Sequence, residues 1–260
     1  MLAATTASEI VEETPAPFLS TDVLERMRAS AVALARSVRY ENAGTVEFIY
    51  DCDRGEFYFL EMNTRIQVEH PVTEEISGID LVCVQIRIAD GAPFNLSQKN
   101  IVFQGHAIEA RINAEAPRNN FRPSPGCIID CREPDEMDIR IDTHCFPGYT
   151  VPPFYDSMIA KIIAHAPTRE QAIEKLKRAL NALVVTGIET TAPFVDELLS
   201  DSSFRAGEFN TGLVERHLRD REQKVALPRG IGNTMKPYRS STPLCETGTI
   251  ACGPKACGPA

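Results

Sequence analysis

The sequence contains no apolar run approaching the roughly 20 residues that a membrane-spanning helix requires. Nor has it a surplus of basic residues: 27 Lys and Arg stand against 36 Asp and Glu. The net charge of -9 argues against a general nucleic-acid binder, which needs a surplus of Lys and Arg to neutralise phosphate. It leaves room for a local basic pocket that takes a small anion. The amino terminus lacks a basic segment followed by an apolar stretch, so it does not read as a secretory signal, and a cytoplasmic location is the expectation. No histidine completes a zinc set with the cysteines. Cys127 and Cys131 lie four apart without a second matched pair, and Cys245, Cys252 and Cys257 cluster in the tail with no His among them. That argues against a zinc site. Cys52, Cys83, Cys127, Cys131 and Cys145, scattered through core-like segments, read as buried thiols. No internal repeat is evident.

The 260 residues suffice for one large domain or two small ones. Residues 1–19 read as an extended Pro-containing lead-in. Ser20 or Thr21 can cap a helix whose apolar residues, Val23 to Val38, recur at helical spacing up to about Arg39. Thr45–Tyr50 and Glu56–Asn63, joined by a turn-rich Asp51–Gly55, read as a hairpin. Helical segments follow near Thr73–Ser77 and Asp80–Ala89, then a connection over 92–100. Strands are expected at Gly105–Ile112, Gly126–Cys131, Ile139–Asp142 and Met158–Ala164. Thr168 and Gln171 open a helix whose Ile173, Leu176, Leu180 and Leu183 stripe is expected to pack in the core, with Gly187 as its stop. Shorter helices are expected near 192–199 and 211–219. The tail, without periodicity, is expected to be disordered from about residue 219, and its Gly230-Ile231-Gly232 is not a phosphate loop. Strands and helices that do not strictly alternate predict an α+β fold.

The chemically informative stretch is Glu61-Met62-Asn63-Thr64-Arg65-Ile66-Gln67-Val68-Glu69. If it is extended, Glu61, Asn63, Arg65, Gln67 and Glu69 share one face, and Glu47 on the preceding strand can join them. Glu47, Glu61 and Asn63 offer hard oxygen ligands suited to Mg²⁺ or Mn²⁺. Arg65 can grip a planar oxyanion by two parallel hydrogen bonds, and Glu69 can take a proton from it. The same alternation also fits an edge strand with one solvated face. His70, before Pro71, is expected to fix the loop through its ring, and His106, His144 and His165 to be packed or at the surface. Lys161 receives no role.

The run Glu56 to Glu74, containing Glu61-Met62-Asn63-Thr64-Arg65-Ile66-Gln67-Val68-Glu69-His70-Pro71, resembles the signature of biotin carboxylases. These include the biotin carboxylase parts of acyl-CoA and pyruvate carboxylases. Gly44–Phe48, Gly105–Glu115 and Gly148–Lys161 resemble further segments of that family in the same order, so the likeness spans roughly Ile10 to Leu218. It implies the carboxyl-terminal half of an ATP-grasp region over 1–98 and a biotin carboxylase C-terminal domain over 99–218. By the resemblance, Glu47, Glu61 and Asn63 are metal ligands bridging Mg²⁺ or Mn²⁺ to ATP. Arg65 is the active-site arginine, and Gln67 and Val68 contact bicarbonate. Glu69 is the base that deprotonates bicarbonate, and Arg111 steadies the biotin enolate oxygen. Carboxyphosphate forms first, and the CO₂ it releases is captured by biotin on its carrier.

The resemblance also implies a biotin carboxyl carrier protein, a carboxyltransferase and a homodimer as partners. Only 46 residues precede Glu47. The glycine-rich loop, phosphate lysines and lid of the family are therefore expected to be missing, and the isolated chain is expected not to turn over ATP. A family lysine near bicarbonate falls where this chain has Glu9. Three readings stand: a truncated biotin carboxylase, a non-catalytic module pairing with a full-length carboxylase, and an ATP-grasp ligase of the carbamoyl-phosphate type. The Arg111 and Gly148–Lys161 segments speak against the last.

Overall fold

The computed structural model describes residues 9–135, 138–226 and 246–252, with the backbone alone for 222–226 and 246–252. In chain order the elements begin with β1 (Val11–Thr14), α1 (Thr21–Ser37), β2 (Gly44–Asp51), β3 (Glu56–Asn63), α2 (His70–Ser77) and α3 (Leu81–Ala89). Then come β4 (His106–Asn113), β5 (Glu115–Ala116), β6 (Arg122–Pro123), β7 (Gly126–Cys127), β8 (Asp130–Arg132), β9 (Ile139–Thr143), β10 (Thr150–Val151) and β11 (Met158–Ala166). The chain continues through α4 (Arg169–Ala182), β12 (Val184–Thr186), α5 (Ala192–Leu199), α6 (Ser202–Ala206), α7 (Leu213–Ala226) and β13 (Glu246–Cys252). The fold is α+β, and its paired strands are antiparallel.

Local chemistry explains the first layer. The Ser20 hydroxyl accepts from the Val23 amide and starts α1, which buries Val23, Met27 and Ala31 at successive four-residue steps. That stripe packs on Val46 and Phe48 of β2. The β2–β3 turn is held by Asp51 Oδ1, which accepts from the amides of Asp53 and Arg54. One face of the hairpin is thus committed to α1, and the other is left for polar side chains.

The second layer is a four-stranded sheet in the order β1-β4-β11-β9. One face is the main core, where Ile108, Ala110, Ile112 and Ile162 meet Ile173, Leu176 and Leu180 of α4 and Phe194 and Val195 of α5. The expected stripe is therefore core packing, with Leu183 partly buried at its end. The other face of the sheet is covered by α2, through Val72 and Ile76 on Ala107 and Ile163.

The structure differs from the sequence reading in several places. Val11–Thr14, inside the supposed lead-in, is a strand paired with β4. Helix α2 starts at His70, not Thr73, because Pro71 has no amide hydrogen to leave unpaired in a first turn. Gly187 is not the stop of α4, which ends at Ala182. The β-branched Val184, Val185 and Thr186 then pair with β8. Gly187 follows at φ 96°, where a Cβ would lie 2.3 Å from the Cys127 carbonyl oxygen. Cys52, Cys83 and Cys127 are exposed instead of buried. Within the tail, α7 runs on to Ala226 and the backbone of β13 lies antiparallel on β2. Gly230-Ile231-Gly232 lies outside the described residues. Among the described residues no helix is long and apolar enough to cross a membrane.

Candidate active site

The polar face of the hairpin gathers two carboxylates and two amides. Glu47 stands opposite Glu61, and Thr45 opposite Asn63. A bulge at Leu60 shifts the register just before Glu61. Asn63 Nδ2 donates to Glu47 Oε1 at 2.8 Å and to Glu61 Oε1 at 3.0 Å. Gln67 Nε2 donates to the same Glu47 oxygen at 2.8 Å, while its own Oε1 is buried without a hydrogen-bond partner among the described residues. Two carboxylates sharing one amide make a negative pocket of hard oxygens, and turning the Asn63 amide over presents a third. This set fits Mg²⁺ or Mn²⁺. Among the described residues no group of three or more His, Cys, Asp or Glu could by itself hold a metal ion.

The expected single strand over 61–69 does not form. β3 ends at Asn63, and residues 64–69 turn into α2, with the amides of His70 and Val72 bonding to the carbonyls of Gln67 and Glu69. His70 Nδ1 lies 2.8 Å from the Gln67 carbonyl oxygen, so the ring does fix this loop. The turn separates side chains that alternation would have aligned. Gln67 stays with Glu47, whereas Arg65 points to solvent with Nη1 donating to the Ile66 carbonyl at 3.2 Å. Glu69 is carried to the second sheet.

There it meets Arg111 of β4, whose Nη2 lies 3.2 Å from Glu69 Oε2 and 2.5 Å from Glu12 Oε1, while Nη1 lies 3.1 Å from Glu9. Burial raises the Glu69 pKa above the ordinary glutamate value, although Arg111 and a backbone hydrogen bond pull against it. Burial tends to lower the Arg111 pKa, but Glu12, Glu9 and Glu69 outweigh it, and the net shift is upward. Lys161, opposite Arg111 on β11, donates from Nζ to the Val68 carbonyl at 3.0 Å and lies 3.4 Å from Asp142. Sequence reasoning gave Lys161 no role. The available signal was a cation inside the apolar run Met158–Ile163, which must find a partner when buried.

One six-residue turn therefore joins the carboxylate–amide pocket of the hairpin to the arginine and lysine of the sheet. Paired carboxylates bridged by an amide thus lie one turn away from a largely buried arginine and lysine. Residues 2–97 match the carbamoyl-phosphate synthase L chain ATP binding domain, and residues 109–216 the biotin carboxylase C-terminal domain. The chain is 50% identical over 209 residues to biotin carboxylase 1 of Bacillus subtilis, covering 80% of this chain and 46% of that protein. It is 48% identical to one of the pyruvate carboxylase subunits of Methanothermobacter thermautotrophicus, covering 81% of this chain and 43% of that one. In structure it is similar to the biotin carboxylase domain dimer of Hydrogenobacter thermophilus 2-oxoglutarate carboxylase, a complex with MgADP, ADP and bicarbonate. The TM-score is 0.78 at 44% identity, over 80% of this chain and 46% of that one. The chain belongs to the biotin carboxylase family, and it spans about half the length of the relatives it matches.

Proposed function

We propose that these residues form the metal and bicarbonate side of a biotin carboxylase site, which carboxylates biotin on a carrier protein at the expense of ATP. The ATP-grasp portion is assigned to residues 1–98, with β1 crossing to the second sheet, and the C-terminal domain to 99–218. Glu47, Glu61 and Asn63 hold Mg²⁺ or Mn²⁺, which neutralises charge on the ATP phosphates when bound. Gln67 braces Glu47 and, with the Val68 backbone, faces bicarbonate. Arg65, without a carboxylate partner among the described residues, swings in to grip the anion. Glu69 takes the bicarbonate proton as the bicarbonate oxygen attacks the γ-phosphorus and ADP leaves. Carboxyphosphate then yields CO₂ and phosphate. Arg111 holds the ureido oxygen of biotin.

The observation that supports this reading is the turn at 64–69, which sets Gln67 on Glu47 and Glu69 on Arg111 at once. A biotin carboxyl carrier protein, a carboxyltransferase and a second copy of the chain are the partners, and the setting is cytoplasmic. A second reading, a non-catalytic module that pairs with a complete carboxylase, is favoured by Glu9, whose carboxylate occupies Arg111 Nη1.

The test is biotin-dependent ATP hydrolysis with bicarbonate and Mg²⁺. It compares the 260-residue chain with a fusion in which the amino-terminal half of the Bacillus subtilis relative replaces the residues before Ile10. The chain alone is expected to show no turnover, because phosphoryl transfer depends on groups placed around all the phosphates. The fusion is expected to turn over and to lose the activity with Arg65→Ala. A folded fusion without turnover would favour the non-catalytic reading.

A further inference from the structure

Beneath the turn, the sheet carries a carboxylate to which the roles above give no task. Glu109 lies in the middle of β4, fully buried, directly opposite Glu12 on β1 and Ile163 on β11. Neither of its oxygens has a hydrogen-bond partner among the described residues. The charged groups around it are Glu12 from β1, Arg111 on its own strand, Lys161 from β11, and Arg140 and Asp142 from β9. The turn and α2 add Glu69, His70 and Glu74.

The cations are engaged elsewhere. Arg111 contacts Glu9, Glu12 and Glu69, Lys161 contacts the Val68 carbonyl and Asp142, and Arg140 contacts Glu74 and Asp142. An ionised carboxylate is not kept in such a place without hydrogen bonds; it takes up a proton instead. Two carboxylates directly opposite on paired strands reinforce this, since each opposes ionisation of the other.

We propose that Glu109 carries a proton at neutral pH and is a positioning residue, keeping Arg111 and Lys161 turned toward Glu69 and the Val68 carbonyl, next to the bicarbonate site. The proposal rests on the bicarbonate reading above. When Glu109 ionises, it draws both cations toward the sheet and adds a negative charge below the anion. Burial, opposed by Lys161 and Arg111 and assisted by Glu69 and Asp142, raises the Glu109 pKa to about 8. Burial also pushes Glu12 well above the ordinary glutamate value, against the pull of Arg111.

The sign follows from the raised value. The folded state holds the proton more tightly than the unfolded chain, so this stability is present below the unfolded glutamate pKa of 4.5 and is lost as pH rises through about 8.

The experiment uses the 260-residue chain, wild type and Glu109→Gln, with ¹³C-labelled glutamate carboxyls. Nitrate serves as a planar monoanion whose charge does not change with pH, and its binding is read from the amide signals of Val68 and Glu69. Glu109→Gln is expected to fold and to melt above wild type at pH 7, since Gln has the shape of a protonated Glu but does not ionise in the unfolded chain. The carboxyl signal that disappears in the variant is expected to titrate near pH 8 in wild type. Nitrate binding is expected to be equal in the two at pH 7 and to weaken about tenfold at pH 9 in wild type beyond any loss in the variant, the effect of one added like charge. A Glu109 carboxyl already ionised at pH 7 overturns the proposal while leaving the anion site standing if nitrate binds. Equal weakening in both proteins overturns it too. A protonated Glu109 with no nitrate binding in either protein overturns the anion site itself, and with it the control assigned to Glu109.

Discussion

In the active fusion, Glu69→Gln is expected to lower kcat by about 10²- to 10⁴-fold, the usual contribution of a positioned general base. Gln keeps an oxygen that can accept from Arg111, so the turn and its contact with the sheet survive and only the proton acceptor is lost. The KM for ATP is therefore expected to change little. The pH profile supplies a second reading of the same residue. Burial raises the Glu69 pKa, so the ionised base is lost as pH falls through a value above the ordinary 4.5. Activity of the parent fusion should fall on that acid limb. The residual activity of the variant should not follow it. A variant that kept most of its kcat, or kept the same acid limb, would remove Glu69 from the reaction.

Arg169→Ala is expected to destabilise the chain by about 3–5 kcal/mol, read as a lower urea midpoint without a change in slope. Arg169 binds both oxygens of Glu13 at 2.7 and 2.9 Å and donates to the carbonyls of Phe204 and Arg205. Its guanidinium also lies 4.9 Å from the centre of the Phe204 ring. It thereby ties β1, through Glu13, to α4 and α6. Removing it leaves a buried Glu13 with His106, at 2.7 Å, as its remaining partner. The pH dependence tests the cause. Burial acts to raise the Glu13 pKa, but hydrogen bonds from His106 and Arg169 outweigh it and hold the carboxyl below its ordinary value. Stability from this group is present above the unfolded pKa of 4.5 and is lost as pH falls through the depressed folded value. The penalty of Arg169→Ala should accordingly shrink in that acid range. A penalty independent of pH would assign the loss to the carbonyl and ring contacts alone.

Where function depended on local signals, the sequence was readable. Ser20, Asp80 and Thr168 each cap the helix that follows them, and the hairpin at 44–63 follows from β-branched and aromatic runs around an Asp- and Gly-containing turn. The meeting of Glu47, Glu61 and Asn63 was legible because they lie on that hairpin, where pairing fixes which side chains come together. Arg65 and Glu69 were misplaced because alternation holds only while the strand lasts, and Pro71 commits the chain to a helix two residues after Glu69. The pairing of β1 with β4 joins residues about a hundred positions apart, and four residues show no periodicity that predicts such a partner. Lys161 and Glu109 escaped for the same reason: their surroundings come from β1, β9 and the turn, which no window around β4 or β11 contains.

The most direct measurement of the central claim is the fate of bicarbonate oxygen in the fusion. With ¹⁸O-bicarbonate, ATP and biotin, the account expects one labelled oxygen in each inorganic phosphate formed, since the attacking oxygen stays on phosphorus when carboxyphosphate releases CO₂. Unlabelled phosphate released in step with ATP consumption would mean that water, not bicarbonate, is the nucleophile, and would contradict the assignment of this turn as the bicarbonate site.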